Sequence, residues 1–122
     1  MINDQTKNKP PFEAESVVFK ALNHPVRLAI LEVLRDGEHC VCHLSAYLGQ
    51  RQSYISQQLI VLRESGLVQD RRDGWNVYYS VVNPLVFEIV DGVRALSGAE
   101  ASTLPIAQTE CTCPSCSSKK SN

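Results

Sequence analysis

At 122 residues, with 43% hydrophobic and 20% charged positions, the chain has material for one globular domain with a modest core. No apolar run approaches the ~20 residues of a membrane span, and the polar first ten residues hold no secretory h-region. A net charge of −1 does not announce a nucleic-acid partner, so any DNA surface must come from segregated charge rather than from the total. These features predict a cytoplasmic protein, in a compartment where thiols stay reduced. Clustered cysteines there read as metal-binding or redox-active before structural disulfides.

Met1 to Pro11 is polar and ends in a double proline, which predicts a flexible arm over residues 1–11. From Phe12 a helical pattern puts Val17, Val18, Ala21 and Leu22 on one side, up to Asn23-His24-Pro25. Pro25 suits the first turn of a second helix. That helix carries Val26, Ile30, Val33 and Leu34 inward and stops near Asp36-Gly37. A short third helix spans about Cys42 to Leu48, and Gly49-Gln50-Arg51 turns the chain into a fourth, about Gln52 to Ser65.

On the fourth helix Tyr54, Ile55, Gln58, Leu59, Val61 and Leu62 share one broad side. Gln52, Ser53, Ser56, Gln57 and Arg63 lie opposite, with Ile60 among them against the pattern. Leu67 to Asp70 and Trp75 to Val82 read as strands joined through Arg71-Arg72-Asp73-Gly74, where Asp73-Gly74 is a hairpin signal. A last helix, Leu85 to about Leu96, carries Val86, Ile89, Val90 and Val93. Beyond Gly98 the composition becomes Ala, Ser, Thr, Pro and Cys, which predicts a flexible cysteine-rich tail over residues 99–122.

The order predicts an α-rich (α+β) winged helix-turn-helix over residues 12–98, flanked by terminal helices. With Ala21-Leu22-Asn23-His24-Pro25-Val26-Arg27-Leu28-Ala29-Ile30-Leu31, Cys40-Val41-Cys42-His43-Leu44, Ser53-Tyr54-Ile55-Ser56-Gln57-Gln58-Leu59, Leu62-Arg63-Glu64-Ser65-Gly66-Leu67-Val68 and Tyr78-Tyr79 in that order, the chain resembles the ArsR/SmtB metalloregulatory repressors. The resemblance implies a homodimer built on the first and last helices. It also implies a transcriptional repressor, not an enzyme, that binds double-stranded operator DNA and lets go on meeting its inducer.

A recognition helix reads base edges with its N-terminal residues. Gln52, Ser53, Ser56 and Gln57 stand at that end of the fourth helix. Arg51 and Arg63 are placed for phosphates, and Arg71 and Arg72 in the wing for backbone or minor groove. The family often has His where Gln58 stands. Gln58 faces the core side, so the change bears little on DNA reading.

Cysteines group at Cys40 and Cys42 and at Cys111, Cys113 and Cys116. Within a helix, residues two apart point away from each other, so Cys40 and Cys42 chelate one ion only if they straddle a helix start. A helix N-terminus also favours the thiolate. Zinc, cadmium, lead and arsenite all prefer thiolate sulfur, and three or four sulfurs make a tight site. The arsenic-sensing pattern of the family often supplies a third cysteine where this chain has Ser45. The cadmium- and lead-sensing pattern can draw on an N-terminal arm, which here has no cysteine.

The tail cysteines remain the source of further sulfur. The expected inducer is therefore As(III), Cd(II), Pb(II) or Zn(II), held by Cys40, Cys42, Cys111, Cys113 and Cys116, with no organic cofactor. His39 and His43 are possible further ligands or ordinary surface histidines. The last-helix zinc site of some relatives needs histidines that the last helix lacks, although Glu88 and Asp91 are present. Two other readings stand beside this one. Cys40 and Cys42 can pack as small hydrophobes, or the cysteines can form a redox- or persulfide-sensing pair between the helix-turn-helix and the tail.

Overall fold

A computed structural model describes residues 11–99. Its elements run α1 (Glu13–Leu22), α2 (Pro25–Val33) with a following 3-10 turn (Leu34–Asp36), β1 (His39–Cys40), α3 (Val41–Leu48), α4 (Gln52–Glu64), β2 (Val68–Asp73), β3 (Asn76–Val81) and α5 (Leu85–Ser97). This is the expected winged helix-turn-helix, with α3 and α4 as the helix pair and β2–β3 as the wing. No helix of the described residues is long and apolar enough to cross a membrane.

Local chemistry sets the joints. Pro25 sits in the first turn of α2, and the His24 Nδ1 caps that helix by accepting from the Val26 N–H at 3.2 Å. Because Nδ1 accepts, the ring hydrogen belongs on Nε2, which faces the Tyr54 hydroxyl of α4 at 3.4 Å. Gly49 ends α3 in the left-handed region (φ 66°), donating its N–H to the Ser45 carbonyl. The Ser45 hydroxyl donates to the Gln50 carbonyl at 2.5 Å, so both polar groups of Ser45 close the turn between the two helices.

The core gathers one face from each helix. Ile30 and Leu31 of α2, Leu44 of α3, Ile55, Leu59 and Leu62 of α4 and Val68 of β2 are fully buried. On α4 the inward positions Ile55, Gln58, Leu59 and Leu62 follow helical spacing, leaving Val61 at the rim, 38% exposed beside exposed Ile60. Val61 therefore departs from the expected buried set. Phe19, Val93 and Leu96 of the terminal helices are also exposed. An apolar groove of about 400 Å³ runs between α1 and α5, lined by Phe19, Leu22, Leu28, Val90 and Val93.

The sheet differs from expectation in two places. Its order is β1-β3-β2, all antiparallel, and β1 was not anticipated: His39 pairs with Tyr79 and Cys40 with Tyr78. A two-residue strand offers no alternation to read. The wing strands also pair further out than expected, to Asp73 opposite Asn76, leaving Gly74-Trp75 as the turn. Gly74 takes φ 64° at the first turn position, where only glycine is unstrained. Beyond Val68 every β2 side chain is exposed, so its charged residues carried no period-2 signal.

Candidate thiol site and DNA-reading surface

Cys40 is at once the last residue of β1 and the N-cap of α3, with extended backbone (φ −81°, ψ 161°). The pair therefore straddles the helix start, with Cys42 in its first turn. The two sulfurs lie 3.0 Å apart, and the Cys40 Sγ accepts the His43 backbone N–H at 3.3 Å. An ion about 2.3 Å from each sulfur at a tetrahedral angle needs them about 3.8 Å apart, so capture requires the pair to widen by less than ~1 Å from its 3.0 Å contact. Cys42 is half-buried and faces a cleft of about 520 Å³ whose walls include Gln52, Ser53, Ser56 and Trp75.

Cys40 itself is 2% exposed, packed with Tyr78 of the wing and flanked by Cys42 and Ala46. The reading of Cys40 as a small hydrophobe is thus partly right, and it does not exclude a ligand role. Burial against Tyr78 ties the sulfur to β3. The Arg71 guanidinium lies 4.8 Å from the Tyr78 ring centroid and grips Glu38 through two hydrogen bonds of 2.8 and 2.9 Å. A chain of contacts thus runs from the thiol pair through Tyr78 to the wing.

The remaining candidate ligands are engaged elsewhere. His39 Nε2 meets the Asp36 carboxylate at 2.9 Å, and its ring stacks on His43 with centroids 4.5 Å apart and planes within 9°. Asp91 on α5 is held by Arg35 at 2.9 and 3.2 Å, and those hydrogen bonds hold its carboxyl below the ordinary value. Among the described residues no three His, Cys, Asp or Glu side chains gather as a metal-holding group. Cys111, Cys113 and Cys116 lie outside the described residues, as do most of the predicted arm and tail.

Gln52, Ser53 and Gln57 are exposed on the first turns of α4, with Ser56 half-buried between them. The α4 N-terminus has no side-chain cap, so its first backbone N–H groups lack a side-chain acceptor from the N-cap residue. Arg51 and Arg72 are exposed. Arg63 leans on Asp70 at 3.4 Å, while Arg71 is committed to Glu38, which the sequence did not signal. The two wing arginines are therefore not equivalent.

Residues 24–70 match the family described as bacterial regulatory protein, arsR family. An HTH-type transcriptional regulator of Mycobacterium tuberculosis, Rv0081, is 39% identical over 89 residues, 72% of this chain and 78% of that protein. This chain belongs to the arsR family. Its relatives include a biofilm growth-associated repressor of Agrobacterium fabrum, 35% identical over 73% of this chain and 76% of the relative. An arsenic resistance transcriptional regulator of Pseudomonas putida is 42% identical over 63% of this chain and 60% of the relative. The crystal structure of Rv0081 superposes with a TM-score of 0.66 at 36% identity, covering 74% of this chain and 91% of that one. The homodimeric winged helix-turn-helix domain of Mb0332 from Mycobacterium bovis gives 0.66 at 27% identity, covering 84% and 97%. The protein is an arsR-family transcriptional repressor with a DNA-binding winged helix.

Proposed function

We propose that this repressor releases its operator when a thiophilic ion, arsenite or a divalent metal such as cadmium, lead or zinc, is captured by Cys40, Cys42 and thiolates of the tail. The observation that carries the reading is the pair of sulfurs 3.0 Å apart at the start of α3, opening into the cleft beside α4. Soft cations and arsenite select thiolate, whereas magnesium and calcium do not. Two sulfurs leave a zinc or cadmium site half made, so Cys111, Cys113 or Cys116 complete it.

Operator reading falls to Gln52, Ser53, Ser56 and Gln57, with Arg51, Arg63 and Arg72 on phosphates and Arg71 positioning the wing. The exposed apolar faces of α1 and α5 form the homodimer, because the groove between them is too apolar to be left in water. Opening the sulfur pair displaces Cys40, which is locked to Tyr78, and so shifts the wing relative to α4.

The test is an operator-binding assay titrated in turn with arsenite, cadmium, lead and zinc, with thiolate-to-metal absorbance read in parallel. Release of DNA by none of them sinks the ion reading. The thiol-oxidation alternative pairs Cys40 or Cys42 with a tail cysteine: hydrogen peroxide would take two electrons and two protons from the two thiols, yielding a disulfide and two waters. Mass spectrometry after peroxide or persulfide treatment, set beside the metal titration, separates the two.

A further inference from the structure

The single tryptophan of the chain is the most exposed large hydrophobic side chain among the described residues. Trp75 is 100% exposed, at the second position of the two-residue wing turn. Such turns ask for small or polar residues, and an indole there adds nothing to the fold. It stands across the cleft from Gln52, Ser53 and Ser56 of α4, on the same side of the molecule as the polar face of the recognition helix. Arg72, exposed on β2, precedes it by three positions.

We propose that Trp75 is a DNA-contacting residue that enters the minor groove flanking each half-site and favours A·T pairs there. This rests on the reading that α4 lies in the operator major groove. With α4 so placed, the wing tip reaches the neighbouring minor groove, and Arg72 meets the phosphates on its rim. The floor of that groove carries only acceptors at A·T pairs, whereas G·C adds the guanine amino donor. Indole Nε1–H is a donor with no acceptor. It is therefore matched to A·T and opposed by G·C. The ring also packs on sugars and base edges, and apolar wedges at that place open flexible steps.

The experiment uses the full chain and a duplex selected by it from a randomised library, remade with A·T, G·C or inosine·cytosine pairs at the flanking position. Inosine lacks the guanine amino group, so inosine·cytosine restores an acceptor-only floor. Wild-type protein should bind the A·T and inosine·cytosine duplexes about tenfold more tightly than G·C. Trp75→Ala should bind all three alike, at or below the wild-type G·C level, with an unchanged salt slope because no charge is removed. Trp75→Phe should keep part of the affinity and lose the preference. The emission of the single tryptophan should shift and quench on adding duplex. Trp75 touches no core residue, so all variants should melt as wild type does.

Unchanged affinity in Trp75→Ala, with tryptophan emission indifferent to DNA, overturns the proposal. So does a variant with altered inducer affinity and unaltered operator affinity, which would assign the indole to the thiol cleft alone. A wild-type chain that binds no duplex overturns the recognition-helix reading as well.

Discussion

Arg27 donates from Nη1 to the buried Gln58 Oε1 at 2.8 Å, joining α2 to the recognition helix. The same guanidinium donates from Nε to the Ala21 carbonyl at 2.6 Å and from Nη2 to the Lys20 carbonyl at 3.2 Å. These are last-turn carbonyls of α1; the Lys20 carbonyl also accepts the Asn23 N–H at 3.2 Å, so Arg27 adds a second donor there. One side chain therefore holds the end of α1 and the inner face of α4 in fixed relation. Gln58 is core polarity with a job.

Arg27→Ala should lower unfolding free energy by about 1–3 kcal/mol, because it takes a donor from the part-buried Gln58 and Ala21 carbonyls together, while the Lys20 carbonyl keeps the Asn23 N–H. Urea denaturation checks this. A change below 0.5 kcal/mol, on the order of a surface substitution, would show the contact to be incidental.

Cys40→Ser and Cys42→Ser should fold, bind operator and fail to respond to inducer, since removing a ligand removes the differential affinity that shifts the equilibrium. Cys40 also caps α3, and serine caps well, so Cys40→Ser keeps the helix start. Cys40→Ala should cost about 1 kcal/mol more in thermal or urea unfolding. Loss of operator binding in metal-free Cys40→Ser would make that cysteine purely core.

Truncation after Gly98 should leave operator binding intact and weaken the inducer at least tenfold, about 1.4 kcal/mol. Isothermal titration with cadmium on both chains measures it. Equal affinities would remove the tail cysteines from the site.

Arg72→Ala should weaken binding to every duplex and lower the salt slope by about 1, while Gln57→Ala should change sequence preference. Arg71→Ala should act differently. Its guanidinium already serves Glu38 and Tyr78, so its loss should loosen the wing and blunt the inducer response. Fluorescence anisotropy across a salt series separates these outcomes.

Acid stability should depend on Glu32. Hydrogen bonds from Arg35, aided by the Arg35 and Arg94 charges, hold its carboxyl below the ordinary value of 4.5, against the raising effect of burial. The unfolded chain therefore takes up the proton at higher pH than the folded one. Stability from this group is complete above the ordinary carboxylate range and fades as pH falls through the lowered folded value. Glu32→Gln should flatten that part of the acid limb, removing on the order of 0.5–1 kcal/mol at neutral pH. Thermal melts at stepped pH read the difference.

Helix periods, Pro25, Gly49 and the Asp73-Gly74 hairpin signal make the architecture legible in the sequence, since each is a local signal. The cysteine pair was legible too, because two residues astride a helix start can meet only one way. What escaped depends on distant pairing. Nothing in the Glu38-His39-Cys40 stretch announces that Cys40 sits opposite Tyr78, or that Arg71 reaches Glu38 33 positions away. The sequence alone places Trp75 at the start of a strand, because the register that puts it in the turn is decided by pairing of Asp73 with Asn76.

The half-buried Cys42 looks out through a cleft walled by Gln52, Ser53 and Trp75, the same side chains assigned to the operator. Under the proposed function, a duplex seated on those residues would close the doorway through which an ion reaches sulfur. Induction is then a matter of timing as well as affinity. A pulse of inducer shorter than the lifetime of the protein–DNA complex would pass unanswered, and the cell would register only exposures that outlast it.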